Sequence, residues 1–354
     1  MPKIMSRMTP RILAGAAALA GCSLAAITTS HGQSPITLTY VSYGGTGQDA
    51  QIRAWQEPYT AEYPHVKFSN TSPPDPSQVK AQVMTQAVQW NVVTTAPYLA
   101  TQNCGTLYEK LTIPDIDKSQ FPEGVVGECY IGDFRYSLVF SYNADKWPDP
   151  EKAPKTIADF FDTKKFPGKR GIVKNIQDGL LEQALLADGV KPENIYPLDV
   201  ERALKKWSTI KGDTIWAANP GALFQLVTSN QVDMQFLVQA RSQAALDAGA
   251  KMIPVWDVTV TSLDGLAVPK GSPHLPEIQK FFSFVLQPDS QARMATYSGA
   301  APSNLKAQPT YTANGIKVNA FGPANTGKTF QIDPIWWSAN FNQTAQRFTT
   351  WLNE

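Results

Sequence analysis

Apolar and polar positions along this chain change period many times, and the changes mark short strands alternating with helices. Near the start, TLTYVSY reads as a strand and leads into DAQIRAWQEPYTAEY, whose apolar positions recur at helical spacing. VKFSN leads in the same way into PSQVKAQVMTQAVQW, and NVVTTA follows as a short apolar run suited to a buried strand. Further on, YSLVFSYN predicts another strand, while ADFF, LLEQALLADG, DVERALKKW and NPGALFQLVTSN predict helices separated by Pro and Gly signals. The strand VDMQFLVQ, the helix ARSQAALDAGA and an apolar strand around LDGLAVPKG come next, and LPEIQKFFSFVLQPDSQARMATYSG is a long amphipathic stretch. This rhythm predicts the α/β class. No internal repeat and no low-complexity linker divides the chain, so two α/β domains between which the chain crosses more than once fit better than two beads on a string.

Composition agrees with that size. The chain has 354 residues, 43% of them hydrophobic, enough for one large domain or two ordinary ones with separate cores. Lys plus Arg number 31 against 30 Asp plus Glu, so no field of one sign draws in nucleic acid or anionic lipid. Nine Trp, 12 Tyr and 16 Phe furnish rings for a core or for the walls of a pocket.

The N-terminus predicts export. Lys3, Arg7 and Arg11 precede the apolar run ILAGAAALAGCSLAAI, and the small polar residues TTSHGQ follow, in the order of a secretory signal. Cleavage after Gly32, with Ser30 and Gly32 at the small-residue positions, makes residues 1–32 the signal peptide and releases a soluble chain from Gln33. LAGC, ending at Cys22, also fits a lipoprotein box in which Cys22 carries the lipid. Either route delivers the mature chain to an oxidising compartment, leaving Cys104 and Cys129 as a pair for which a disulfide is expected and two free thiols are the alternative. No metal site or cofactor is expected: His31 leaves with the signal, His65 and His274 stand alone, and two cysteines lack further ligands. With histidine scarce and no G-x-S-x-G, hydrolytic catalysis has no obvious machinery.

One motif invites a different reading. GPANTGKT, Gly322 to Thr329, matches the phosphate-binding pattern G-x-x-x-x-G-K-[ST] letter for letter. That loop works only when a helix begins at its Lys, yet TFQIDPIWW follows, and Pro334 pushes Asp333 out of helical geometry. Only 25 residues remain after Thr329, too few for the rest of a nucleotide-binding fold. The segment is read as a loop on the way to a terminal helix.

Several stretches taken together carry a resemblance. VSYGGTGQDAQ, AQVMTQAVQWNVV, ADFFDTKKFPGKRGI, LLEQALLADGV with YPLDVERALKKW, LDGLAVPKG and WWSANFNQTAQRFTTWL are similar to the spermidine/putrescine-type branch of the periplasmic solute-binding proteins of ABC importers, from about Ile36 to Glu354. The resemblance implies a type II-like periplasmic-binding-protein fold: two α/β lobes joined by a hinge, with solute held in the cleft between them. The corresponding division is 33–138 plus 265–310 for the first lobe, and 139–264 plus 311–354 for the second lobe and C-terminal helix. It also implies a bridge between Cys104 and Cys129 in the first lobe, a periplasmic monomer, and delivery of a small-molecule solute to permease subunits driven by a separate ATPase. A chemoreceptor-feeding binding protein, or a secreted enzyme, are the alternatives on the same fold.

Residue by residue, the resemblance implies ligand contacts at Tyr43, Gly44 and Gly45 after the first strand, and at Trp90 and Asn91. Much of the family has Asp at the position of Asn91, so a charge that could meet an ammonium is missing there. Arg241 follows VDMQFLVQA, where many relatives read Trp-Asn-Gly-Arg and this chain has Val238, Gln239 and Ala240. Asp264 stands where a carboxylate holds an amino group in polyamine binders. In relatives that take 4-aminobutyrate-like solutes the matching Arg and Asp bind carboxylate and amine, as a planar bidentate fork and a charge-assisted acceptor do well. Trp216 and Tyr297 match aromatic walls. Asp178 and Glu182 lie near acidic positions of polyamine binders, in poor register. Trp336 and Trp337 are expected to pack across the lobes, and the basic run Lys164 to Arg170 to be a solvated turn.

Overall fold

A computed structural model describes residues 34–354; the predicted export segment, with His31 and Cys22, lies outside the described residues. Eleven strands carry the architecture: β1 Ile36–Val41, β2 Val66–Thr71, β3 Val92–Thr95, β4 Ile131–Asn143, β5 Arg170–Val173, β6 Thr214–Ala217, β7 Met234–Val238, β8 Met252–Pro254, β9 Thr259–Ala267, β10 Ala301–Pro302 and β11 Thr329–Gln331. Neighbouring strands run β2-β1-β3-β9-β4-β7-β5-β6.

Each half of that path is a small parallel sheet. β1 lies parallel between β2 and β3, and β5 lies parallel between β6 and β7. Helices connect the parallel strands, as they must, because such strands cannot be joined by a tight turn. Between the halves run the two long strands. β4, at 13 residues, pairs antiparallel with β9 through its first half and with β7 and β8 through its second. β9 pairs with β3 at its end and with β11 at its start.

The cores divide at these strands. One cluster gathers Leu38, Trp55, Tyr59, Ile131, Leu266, Phe281 and Phe282. Another gathers Phe140, Phe160, Leu181, Trp207, Phe236, Trp337 and Trp351, and a satellite around Leu223, Val227 and Leu237 completes the second lobe. Two buried clusters that share crossing strands make the two-lobe fold: the chain passes between lobes on β4 and again on β9. Cys104 and Cys129 form a disulfide with Cα atoms 5.5 Å apart, in the first lobe. No helix among the described residues is long and apolar enough to cross a membrane.

The C-terminal helix Pro334–Asn353 begins at the Pro that the sequence marked, capped by Asp333, whose carboxylate accepts from the backbone N–H groups of Ile335 and Trp336. Lys328 therefore opens no helix. Thr329 starts β11 instead, and GPANTGKT is a turn with Lys328 exposed. Trp337 shares a buried cluster with Tyr98 of the helix after β3, their ring centroids 6.5 Å apart, while Trp336 packs on Tyr196.

Candidate functional site at the lobe junction

In open α/β sheets, ligands bind beyond the carboxyl ends of the strands where the strand order reverses. Here the carboxyl ends of β1 and β3 in one lobe and of β5 and β7 in the other meet around β4 and β9. Across the β4 and β9 ladder, Phe134 pairs with Asp264 and Tyr136 with Ser262. Strand alternation puts those four side chains on one face.

The loop after β1 crosses this face. Gly44 and Gly45 have φ of 71° and 57°, left-handed values that glycine adopts without steric cost. Gly44 caps the helix Gly45–Gln51, and the turn leaves Tyr43 62% exposed. A Cβ on Gly45 would stand 3.6 Å from Nη2 of Arg241, so the first-lobe loop and the second-lobe guanidinium come close. Arg241 sits in the first turn of the helix Gln239–Asp247 that follows β7. Among the described residues its guanidinium has no hydrogen bond and no ion pair. Just before it, buried Gln239 donates to the Gly299 carbonyl and accepts from the Ser137 hydroxyl at 3.0 Å, which fixes the start of that helix on the hinge strand.

Asp264 has a matching lack of partners. One carboxylate oxygen accepts from the Gly265 N–H at 3.2 Å, and no cation among the described residues pairs with it. Burial first, then the nearby carboxyls of Asp133 and Asp178, raise its pKa well above the ordinary range. Asp178, beyond the end of β5, accepts from the Tyr136 hydroxyl at 2.8 Å and from Asn175 Nδ2 at 2.9 Å; burial raises its pKa too. Asp133 is the extra residue where the β4 register slips between Gly132 and Phe134. It is fully buried, accepting from the Phe134 N–H at 2.8 Å and Gln51 Nε2 at 3.3 Å, and desolvation pushes its carboxyl up to about 8.

Aromatic groups close the walls. The Tyr43 phenol lies in the field of Asp264 and Asp178, and Tyr98, 3% exposed on the helix Pro97–Gln102 after β3, lies in that of Asp178. The Tyr98 hydroxyl is buried without a partner among the described residues. The junction thus combines carboxylates, phenols and a free guanidinium, a set that suits a small solute carrying both charges.

Four expected contacts have other surroundings. Asn91 precedes β3, and Val93 pairs with Ala267 while Thr95 pairs with Gly265 beside Asp264. Asn91 is therefore four strand positions, roughly 13 Å, from the cleft end of β3. Its side chain accepts from the Thr39 N–H at 2.8 Å and donates to Ser272 Oγ at 3.1 Å and the Pro273 carbonyl at 3.0 Å, which uses its amide within the first lobe. Trp90 packs against the same lobe's core. Trp216 lies among Trp207, Phe348 and Trp351, with centroid distances of 5.2, 6.3 and 5.5 Å, and so braces the C-terminal helix. Tyr297 is 41% exposed, with the Arg53 guanidinium 4.2 Å over its ring.

Tyr98, Tyr136, Phe134 and Asp133 were missed from the sequence. The carboxyl-end rule finds Tyr98, three residues beyond Thr95; nothing in DFRY marks Tyr136 as facing a cleft. Glu182 is no part of the site: fully buried in the second lobe, it accepts from Tyr196 Oη at 2.6 Å and Trp337 Nε1 at 2.8 Å.

A hinged pair of lobes with this junction defines an extracytoplasmic solute-binding protein. The chain belongs to the bacterial extracellular solute-binding protein family, whose profile matches residues 54–320. Over 94% of this chain and 95% of its own length, a gamma-aminobutyric acid-binding protein of Pseudomonas aeruginosa is 29% identical to it. The solved structure of the Atu4243-GABA receptor superposes with a TM-score of 0.81 at 34% identity, covering 90% of this chain and 98% of that one. AgtB of A. tumefaciens R10, solved with agropinic acid, superposes with a TM-score of 0.78 at 29% identity over 90% and 99% of the two chains. The family is extracellular in its description, which places the mature chain outside the cytoplasm.

Proposed function

We propose that the protein captures a zwitterionic ω-amino acid of the 4-aminobutyrate class between its lobes and delivers it to the permease of an ABC importer. The observation that carries this reading is that Arg241 lies near Gly45 and Asp264 near Tyr43, and that among the described residues neither has a counter-ion. Arg241 takes the solute carboxylate, Asp264 takes the ammonium, and Tyr43 and Tyr98 line the chain between. A polyamine suits the same junction poorly, because its ammonium groups would meet the Arg241 cation without a carboxylate to offset it. The relatives named for GABA support the amino-acid reading over the polyamine one. Tyr297, under the Arg53 guanidinium, has no part in the proposal, and no catalysis, cofactor or metal enters it.

Closure around the solute uses β4 and β9 as the hinge, so ligand energy shifts an open and closed population and shapes the face the permease reads. The ATPase is a separate subunit and the binding protein a monomer. The test is calorimetry and thermal shift with 4-aminobutyrate, putrescine, spermidine and agropinic acid. A saturable rise in melting temperature with 4-aminobutyrate, and none with the polyamines, is expected. Tight polyamine binding with no response to 4-aminobutyrate overturns the reading.

A further inference from the structure

Behind Asp178 the second lobe holds a small cavity. It offers about 10 Å³ to the centre of a water molecule and is lined by Leu138, Ile172, Val173, Asn175, Asp178, Leu180 and Gln183. That is room for about one water. Gln183 is 1% exposed in the helix Leu180–Ala187, and among the described residues neither Nε2 nor Oε1 has a partner. A buried carboxamide with both polar atoms unpaired costs several kcal/mol, so the native state must satisfy it.

We infer that Gln183 is a positioning residue for Asp178, acting through one buried water. A primary amide presents its C=O and one N–H along the same edge, so a single water can accept from Nε2 and donate to Oε1. Its second hydrogen then needs an acceptor. Asp178 is the carboxylate on the cavity wall, and its two oxygens already accept from Tyr136 on β4 and from Asn175. The water becomes a third donor, which favours the charged form and holds the carboxylate in place beside Asp264. The titratable groups facing Asp178 are Tyr136 and Asp264 from the hinge strands and Tyr43 and Tyr98 from the first lobe.

The link from Asp178 to solute rests on the ammonium reading above, but two measurements are made on the protein without solute. A crystal structure at atomic resolution is expected to show one ordered water bonded to both Gln183 and the Asp178 carboxylate. ¹³C titration of the Asp178 carboxyl is expected to move up by about one pH unit in Gln183→Met, because a donor to the charged form is lost. An empty cavity, or an Asp178 titration unchanged by Gln183→Met, overturns the inference. If Gln183→Met fails to fold, the wild-type crystal still decides. With 4-aminobutyrate as probe, the acid limb of the affinity profile is expected to rise in pH with the same variant. Should wild-type protein bind no 4-aminobutyrate, the solute reading fails while the two solute-free measurements stand.

Discussion

Nη2 of Arg241 lies 3.6 Å from the place a side chain on Gly45 would take, so a second-lobe cation fills the space that glycine leaves open in the first-lobe loop. Glycine at 45, held at φ 57°, leaves the guanidinium fork open toward the cleft. Arg241→Ala is expected to lower affinity for 4-aminobutyrate about 100-fold or more, and Asp264→Asn by a similar factor, since each leaves a solute charge buried and unpaired. Arg241→Lys restores charge without the planar fork and is expected to recover only part of the loss. Calorimetry on the three variants checks this; wild-type affinity in both Arg241→Ala and Asp264→Asn would remove these residues from the site.

Binding is expected to release protons. Burial and two neighbouring carboxyls raise the pKa of Asp264 in the free protein, which favours its neutral form. An ammonium placed against it favours the charged form and draws the pKa down. Between the lowered and raised values the solute expels a proton, so affinity rises with pH through that window. Calorimetry at several pH values, in buffers of different ionisation enthalpy, reads the number released and locates the window. Zero protons in wild type, or the same number in Asp264→Asn, contradicts the assignment.

Asn91 separates architecture from recognition. Its amide makes three hydrogen bonds inside the first lobe, at 2.8, 3.1 and 3.0 Å, and is 2% exposed. Asn91→Ala leaves the Thr39 N–H without its acceptor and is expected to cost about 2–4 kcal/mol of stability. At temperatures where the variant is folded, its affinity for 4-aminobutyrate is expected to stay within about twofold of wild type, since such independent sites add. Denaturant unfolding and calorimetry give the two numbers.

These contrasts show what the pattern of residues could carry. Strand and helix rhythm revealed the α/β class, because apolar periodicity is what each sheet and helix buries; the rejected phosphate loop was legible because Pro334 dictates where the last helix starts. Arg241, of the proposed site, stands in the sequence just after an apolar strand, which is what makes such a position legible. Asn91 was not, because the resemblance gives neighbours in sequence while the β3 register decides which end of the strand meets the cleft. Trp216 failed as a pocket wall for a related reason: a ring at a strand end serves core and cleft equally well in one dimension, and here Trp207 and Trp351 claim it. Tyr136 and Asp133 owe their positions to long-range pairing of β4 with β9 and to a local slip in register, neither of which leaves a mark in the sequence.

That slip puts Asp133 where its proton is testable. Its folded pKa is pushed up to about 8, chiefly by desolvation, against about 3.9 for an unfolded Asp. The raised value means the native state holds a proton that the unfolded state gives up, so the group's contribution to stability is present at acid pH and is lost as pH rises toward 8. Gln51 is placed for the neutral form, since its Oε1 has no partner and an Asp133 hydroxyl could donate to it with the amide turned. Asp133→Asn keeps the size and a donor without the titration. The variant is expected to fold, and near pH 7 to match or exceed wild-type stability, because there the unfolded wild type ionises a carboxyl that the folded protein must keep protonated. The slope of stability against pH between about 5 and 7 should flatten by up to about 1.4 kcal/mol per pH unit, the worth of one proton. Urea unfolding across that range measures the slope. A wild-type slope retained in full by Asp133→Asn would mean that Asp133 is ionised in the folded protein.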